Sequence, residues 1–487
     1  MRFLLFLVTL ACYSHLRAQD IRDHWILSDS MHLQFTDSGL VFLGLVPFQS
    51  EESIATISDL HGNLLLFANE SRVYDEYYNI IENGDSLFAT INSTTSTQGA
   101  VLVPHSNNYF IINRIYLSEP NGSLSYSIIK LDSLLNKYYI PTTSKKIVVQ
   151  DELFAEQLQV VRHGNGVDWW IIGRKLINTY QPESNAFIVY KLSGEEFTLE
   201  HEFEIGLEAQ FKGELSASPD GSLLALASFS SGLLQLFDFD RCNGVVSNPR
   251  VLINDSSSTY YGCAFSPDGT KLYVARMNRE ILEQVDLTAP DFPVARIFSA
   301  NFGFNNGAGQ LELGPDNKVY WIQYAQGLVL DSLPAMYLGV INEPNLPGLS
   351  CNFDPYGVWL GGRINRFSLG LPNHPNYYLG PLVGSPCDTI SNVDTATAIL
   401  PIDVAPVKPC FELRATQANG PITVNIDAAY LNCTVEVYHS SGPLVYSEQA
   451  NSTFKEINTT TWTHGVYVAR LRAPQGNCPA QKFVVGP

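Results

Sequence analysis

The chain is poor in charge, and poorest in positive charge. Only 16% of its 487 residues are charged, and 29 Lys and Arg stand against 48 Asp and Glu, a formal charge of −19. No basic tract offsets that balance, so nucleic acid and anionic lipid surfaces are repelled and are not expected partners. Beyond the N terminus no apolar run reaches the ~18 residues that a membrane-spanning helix needs. Helical periodicity is nearly missing; Gln150 to Val161 is the one stretch with a passable amphipathic pattern. No Cys-x-x-Cys pair and no Cys/His group with zinc-ligand spacing occurs, so neither a metal nor a cofactor is expected. The Gly-x-Ser-x-Gly elbow, His-Glu-x-x-His and the phosphate loop Gly-x-x-x-x-Gly-Lys are also missing, which leaves no catalytic residue to name and points away from an enzyme. Paired carboxylates of a glycosidase leave no motif, so that chemistry stays open.

What the chain does contain is a repeated hairpin. Tyr261 to Arg276, YGCAFSPDGTKLYVAR, reads as a strand, a turn at Pro267-Asp268-Gly269, and a second strand with period-two alternation. Proline presets φ, aspartate bonds the backbone two residues on, and glycine accepts φ > 0. Copies at Gly213 to Ser228 and Gly309 to Gln323 put Asp220, Asp268 and Asp316 at a constant interval, since 268 − 220 = 316 − 268 = 48. Weaker copies lie at Ile54 to Asn69, Gly99 to Tyr116 and Leu158 to Arg174. A period of this size built from short strands predicts an all-β propeller of seven blades, within a range of six to eight. Tyr356 to Leu369 is expected to start the seventh blade, and His24 to Phe35 to complete it, closing the ring without an open sheet edge.

Met1 to Ala18 has the positive start, apolar stretch and small final residue of a secretory signal. Thr9 to Cys12 is a poor match to a lipoprotein box. Cleavage at Ala18 removes two arginines, 29 − 2 = 27, and leaves a formal charge of 27 − 48 = −21. It also removes Cys12, leaving seven of eight cysteines for an oxidising compartment, where disulfides are expected. The candidates are Cys242 with Cys263, joining neighbouring blades, and Cys433 with Cys478. The domains then read as signal peptide 1–18, propeller 19–375, an extended Pro, Ser, Thr and Asp-rich linker 376–409, and a small C-terminal β-sandwich of immunoglobulin-like type at 410–487.

In that last segment Val435 to Glu448 forms a strand-Gly-strand pattern, Gly465-Val466-Tyr467 opens an alternating strand, and Lys482 to Val485 forms a final one. These residues resemble the type A C-terminal sorting domain of the type IX secretion system. Two features depart from that family: Asn419-Gly420-Pro421 stands where Asn-Pro is usual, and the chain ends in Gly-Pro. The propeller segment, through Ile57-Ser58-Asp59, Asp168-Trp169-Trp170, Phe237 to Cys242 and Leu371 to Asn376, resembles secreted propeller proteins of Bacteroidetes that carry this tail. The resemblance implies export through the periplasm by the type IX machinery to the outer face of the outer membrane or the medium, and no chemistry.

First strands of propeller blades line the central channel, so Thr97, Gln98, Glu156, Arg162, His163, Glu214, Gln310 and Arg363 are the candidate ligand-binding residues at its mouth. The same residues also suit a structural role, satisfying one another and channel water. Trp169 and Trp170 suit sugar stacking or blade packing. Three functions fit: a binding or adhesion module for a surface glycan or protein, a polysaccharide- or peptide-degrading enzyme with paired carboxylates, and a structural surface-layer component.

Overall fold

The computed structural model describes residues 20–27, 30–37, 39–47, 50, 52–87, 96–118, 121–150, 153–178, 183–277, 281–299, 306–325, 336–361, 369–388, 411–415, 421–428, 431, 433–439, 444–462, 465–473, 476–477 and 481–485. The signal segment lies outside them. Two compact units emerge, 1–402 and 403–487.

Among the described residues the first unit is a β-propeller of seven small antiparallel sheets, its blades. Blade 1 is His24–Leu27, Met31–Thr36 and Gly39–Leu45; blade 2 is Ala55–Ser58, Leu64–Ala68 and Val73–Asp75. Blade 3 begins Ala100–His105, Asn108–Ser118 and Asn121–Asp132, and the last of these also pairs with Lys137–Tyr139 and Ile147–Gln150. Blade 4 comprises Phe154–Arg162, Trp169–Lys175, Glu183–Ser193 and Glu196–Gln210; blade 5 comprises Leu215–Ala217, Leu223–Ser228, Leu233–Asp240 and Val245–Asn254. Blade 6 is Tyr260–Phe265, Lys271–Arg276, Ile281–Asp286 and Val294–Ser299; blade 7 is Asn306–Leu313, Val319–Ala325, Tyr337–Ile341 and Phe353–Trp359. The six hairpins read from sequence are the two innermost strands of blades 2 to 7.

The turn chemistry matches its expected cause. In blade 6 the Gly269 amide donates to the Ser266 carbonyl, Gly269 has φ +70°, and Asp268 Oδ1 accepts from the Thr270 amide at 3.0 Å. Asp220 does the same for the Ser222 amide. The alternation has a different outcome: Lys271 to Ala275 are all buried, because each blade is covered on both faces by its neighbours. Leu272 and Val274 pack toward blade 5 residues Leu234 and Leu236, whereas Tyr273 and Ala275 pack toward blade 7 residues Trp321 and Ile341. The described residues of Gln150 to Val161 are not helical; Phe154–Arg162 is the inner strand of blade 4, with every residue buried. Its apolar spacing serves two faces of a covered strand rather than one stripe of a helix.

Ring closure also differs from expectation. Phe353–Trp359 does not open a blade but forms the outer strand of blade 7, and the N terminus supplies three strands of blade 1 rather than one. The inner position between blades 7 and 2 is taken by 369–373. The Gln310 amide donates to the Leu369 carbonyl, Pro372 bridges Ile54 in parallel, and the Asn373 amide donates to the Ile54 carbonyl. One apolar cluster then joins Trp25, Leu33 and Phe35 of blade 1 to Tyr320, Ile322 and Val340 of blade 7, with Leu371 among them.

The chain from 374 to 388 packs against the ring instead of leaving it as the linker composition suggests. Tyr377 is buried and donates from its hydroxyl to the Leu102 carbonyl; Arg162 and Arg241 donate to the Tyr377 and Gly380 carbonyls. Cys387 is disulfide-bonded to Cys242, with Cα atoms 5.4 Å apart. The expected Cys242 to Cys263 bond is therefore absent. Cys263 points into the blade, its amide held by Glu214, whereas Cys242 sits in a turn facing this strap.

The second unit packs Phe411–Ala415, Ile422–Ile426 and Phe454–Ile457 against a sheet ordered Leu444–Ala450, Cys433–His439, Gly465–Ala473 and Gln481–Val485. Val424 and Ile426 from one sheet and Val435, Val437, Tyr467 and Leu471 from the other share its core, as in an immunoglobulin-like sandwich. Cys433 is buried there; Cys478, its expected partner, lies outside the described residues.

Candidate functional site

The inner strands bring most of the expected channel residues to the axis, where they bond across it. Gln98 donates from Nε2 to the Leu215 carbonyl at 3.0 Å and accepts from the Leu215 amide at 2.8 Å, joining blade 3 to blade 5. Gln310 of blade 7 donates to the Thr97 carbonyl and accepts from the Leu371 amide at 2.7 Å. Gln159, which the sequence reading passed over, donates to the same Leu215 carbonyl. Glu214 Oε2 accepts from the amides of Cys263 (2.7 Å) and Leu311 (3.5 Å), tying blades 5, 6 and 7 together. Buried amide and carboxyl side chains thus bridge the inner strands across the middle of the channel, and burial lifts the Glu214 carboxyl to about 8.

At the end where the inner strands begin, carboxylates gather. Thr97 donates from both its amide (3.1 Å) and its hydroxyl (2.9 Å) to Glu156 Oε2, and its Oγ1 lies 3.2 Å from the Tyr261 hydroxyl. Tyr261 in turn donates to Glu52 Oε2 at 2.6 Å. A hydrogen-bonded line therefore runs from Glu156 of blade 4 through Thr97 and Tyr261 to Glu52, across four inner strands or their lead-in segments. Glu70 stands beside it, accepting from Ser53 at 2.7 Å. Burial, followed by the nearby Glu156 charge, holds Glu52 well above the usual carboxylate range; burial raises Glu156 against the pull of Arg114 and Lys212. Burial lifts Glu70 to about 7, opposed by its Ser96, Arg114 and Ser53 neighbours. No metal-binding group of three or more His, Cys, Asp or Glu occurs among the described residues. Sequence reasoning missed Glu52, Glu70 and Tyr261 because the first two precede or follow their strands and the third reads as an ordinary strand aromatic.

Arg162 and His163 belong to a different place, at the far end of the blade 4 inner strand. The Arg162 guanidinium lies 3.9 Å from the Trp169 ring centroid and donates to the Gly166, Val167 and Tyr377 carbonyls. His163 Nδ1 accepts from the Asn165 amide at 2.9 Å, bracing the turn. Trp169 donates to the Pro104 carbonyl of blade 3 and Trp170 to the Arg241 carbonyl beside blade 5, so each indole packs toward one neighbouring blade and neither is presented for sugar stacking. Arg363 lies outside the described residues.

Exposed aromatics occur at the rim. On the outer strand of blade 7, Trp359 is 55% and Tyr356 42% exposed. Trp359 meets Phe42 of blade 1 edge-on at 6.4 Å, and Tyr356 meets Tyr337 at 5.5 Å. Leu43 and Leu45 are exposed on the adjoining blade 1 strand. The patch therefore lies at the seam where the ring closes.

Residues 418–486 match the model of the secretion system C-terminal sorting domain. No curated protein matches the chain. Solved structures with a similar course include a functionally unknown protein of Desulfotomaculum acetoxidans, 14% identical over 72% of this chain and 99% of that one, with a TM-score of 0.41. The Swd1 β-propeller domain of Myceliophteria thermophila is 12% identical over 62% and 93%, with a TM-score of 0.36. PorZ, a surface component of the type IX secretion system of Porphyromonas gingivalis, is 11% identical over 96% and 81%, with a TM-score of 0.28. At these scores the likenesses carry no argument about activity. The chain is a β-propeller that ends in a secretion system C-terminal sorting domain of the type IX system.

Proposed function

We propose that the chain is a non-catalytic binding module, displayed on the outer face of the outer membrane or released after export, with a surface glycan as its partner. The observation that carries this reading is the set of hydrogen bonds that ties the inner strands together across the axis. An enzyme of the polysaccharide- or peptide-cleaving kind needs paired carboxyls open to substrate, whereas Glu52, Glu156 and Glu214 spend their described contacts on Tyr261, Thr97 and the backbone of neighbouring strands. What the molecule offers to a partner is its surface, and the exposed rings of Trp359, which meets Phe42, and of Tyr356 on the same strand are apolar surface of the sort that marks interaction sites. The sorting domain supports the address, and the disulfide between Cys242 and Cys387 suits an oxidising compartment.

The test is a binding screen of the purified chain against glycan and surface-protein arrays, with Trp359→Ala alongside. Glycan binding that falls at least tenfold in Trp359→Ala supports the reading. Binding confined to proteins replaces the glycan with a protein partner. Turnover of a polysaccharide or peptide that disappears in Glu156→Gln overturns it in favour of catalysis.

A further inference from the structure

The other end of the channel, where the inner strands finish, holds a cavity of about 70 Å³. The blade ends carrying Ser216 and Glu312 form its walls, Arg22 enters from the N-terminal segment, and the strap covers it with His374, Asn376 and Leu379. At about 10 to 15 Å³ of such space per water, the cavity has room for roughly five waters or a molecule of five or six heavy atoms.

We propose that this cavity is a binding site for a small neutral polyol, or for the diol end of a larger one. Its polar groups call for hydroxyls rather than for a charge. His374 has its side chain buried, and its Nε2 faces the Thr56 carbonyl (3.1 Å) and Thr56 Oγ1 (2.9 Å), whose hydroxyl is itself given to the His24 carbonyl. Nε2 therefore carries the proton and Nδ1 the lone pair, and Nδ1 is a buried acceptor with no hydrogen-bond partner among the described residues. Glu312 Oε1 stands 3.7 Å from it, too far for a direct bond and close enough for one hydroxyl beside the pair to reach both. Burial and the neighbouring Glu214 raise the Glu312 carboxyl well above its usual range, against the pull of Arg22, and so favour the protonated form with its O–H donor. Burial likewise holds the imidazole neutral, with its pKa near 3. Arg22 is already neutralised by Asp20, which takes its Nε and Nη2 at 3.1 Å. An anion finds no uncompensated cation here and a cation finds no carboxylate. A hydroxyl, which donates and accepts at once, can give to His374 Nδ1 while taking from Glu312.

The site is independent of the rim reading: glycan binding at Trp359 can fail while this one stands. Saturation-transfer NMR on the full chain, with glycerol and erythritol as probes and acetate and methylammonium as charged controls, tests it. Saturable transfer to the polyols, at least fivefold stronger than to either control, is expected. His374→Phe should weaken it at least tenfold, and Glu312→Leu should do the same if the first variant folds poorly, with circular dichroism reporting the fold. No transfer to either polyol in the wild-type chain, or equal transfer to the charged probes, overturns the proposal and leaves a cavity that holds water alone.

Discussion

Replacing Glu214 by Gln isolates the cost of burying an acid on the propeller axis. The carboxyl is buried, accepts from the Cys263 amide at 2.7 Å, and is lifted by burial from 4.5 to about 8. The folded chain thus keeps a proton that the unfolded chain releases above 4.5. The stability that belongs to the protonated form is complete below pH 4.5 and is lost as pH rises through 8. Each pH unit in that window is worth about 1.4 kcal/mol, or roughly 4 kcal/mol between pH 5 and pH 8. Gln keeps an oxygen for the Cys263 amide and has no proton to lose. Glu214→Gln should therefore lie within about 1 kcal/mol of wild type at pH 5 and be more stable by roughly 4 kcal/mol at pH 8.5. Urea unfolding at both pH values, followed by the fluorescence of the buried Trp25, Trp169, Trp170 and Trp321, reads the difference. Because each comparison is between two proteins at one pH, groups far from Glu214 cancel. Two pH curves that run parallel within about 0.5 kcal/mol would refute the assignment of a buried, protonated acid.

Two glycines of the blade 6 hairpin should respond differently to alanine. A Cβ on Gly262 would stand 2.5 Å from the Gly309 carbonyl oxygen and 2.7 Å from Gln310 Cα, backbone that cannot move aside, whereas a Cβ on Gly269 meets open space and suffers only from φ +70°. Gly262→Ala should cost about 1–3 kcal/mol or more by overpacking and Gly269→Ala about 1 kcal/mol by strain, and equal shifts in thermal midpoint would contradict the close approach of blades 6 and 7. Cys242→Ser opens a loop spanning 145 residues, for which chain entropy sets an upper stabilisation of about 5 kcal/mol. Its midpoint should fall below that of the oxidised wild type and match that of the reduced wild type; a wild type indifferent to reductant would mean the bond contributes nothing. Deleting residues 403–487 should hold the protein inside the cell envelope, as fractionation would show; normal export would remove the role given to the sorting domain.

The blades were legible in the sequence because their signals are local. A turn such as Ser266 to Thr270 is written in five residues that bond one another, and its repetition announces the ring. The ends of the ring were not legible, since 369–373 reads as an irregular Gly- and Pro-containing stretch and earns its place only by bonding to Gln310 and Ile54, residues distant in sequence. The same holds for Cys242, whose nearest cysteine in sequence is Cys263 but whose neighbour in space is Cys387. Among the channel residues, Thr97, Gln98, Glu156, Glu214 and Gln310 reached the axis because the strand register that locates them is local. Arg162 and His163 lie six and seven positions beyond Glu156, and at the ~3.3 Å per residue of a strand that carries them some 20 Å along it, to the opposite end.

The order in which the ring is completed has a consequence for biogenesis. Blade 1 is the first part of the propeller to leave the ribosome or a translocon, yet the segment that bonds to both Gln310 of blade 7 and Ile54 of blade 2, residues 369–373, comes only after all the blades. Until then the molecule is an open arc with two unsealed flanks. The sorting domain lies later in the chain, beyond the 374–388 strap, so an exported copy bearing the tail has, by the order of synthesis, already received the piece that locks the circle shut.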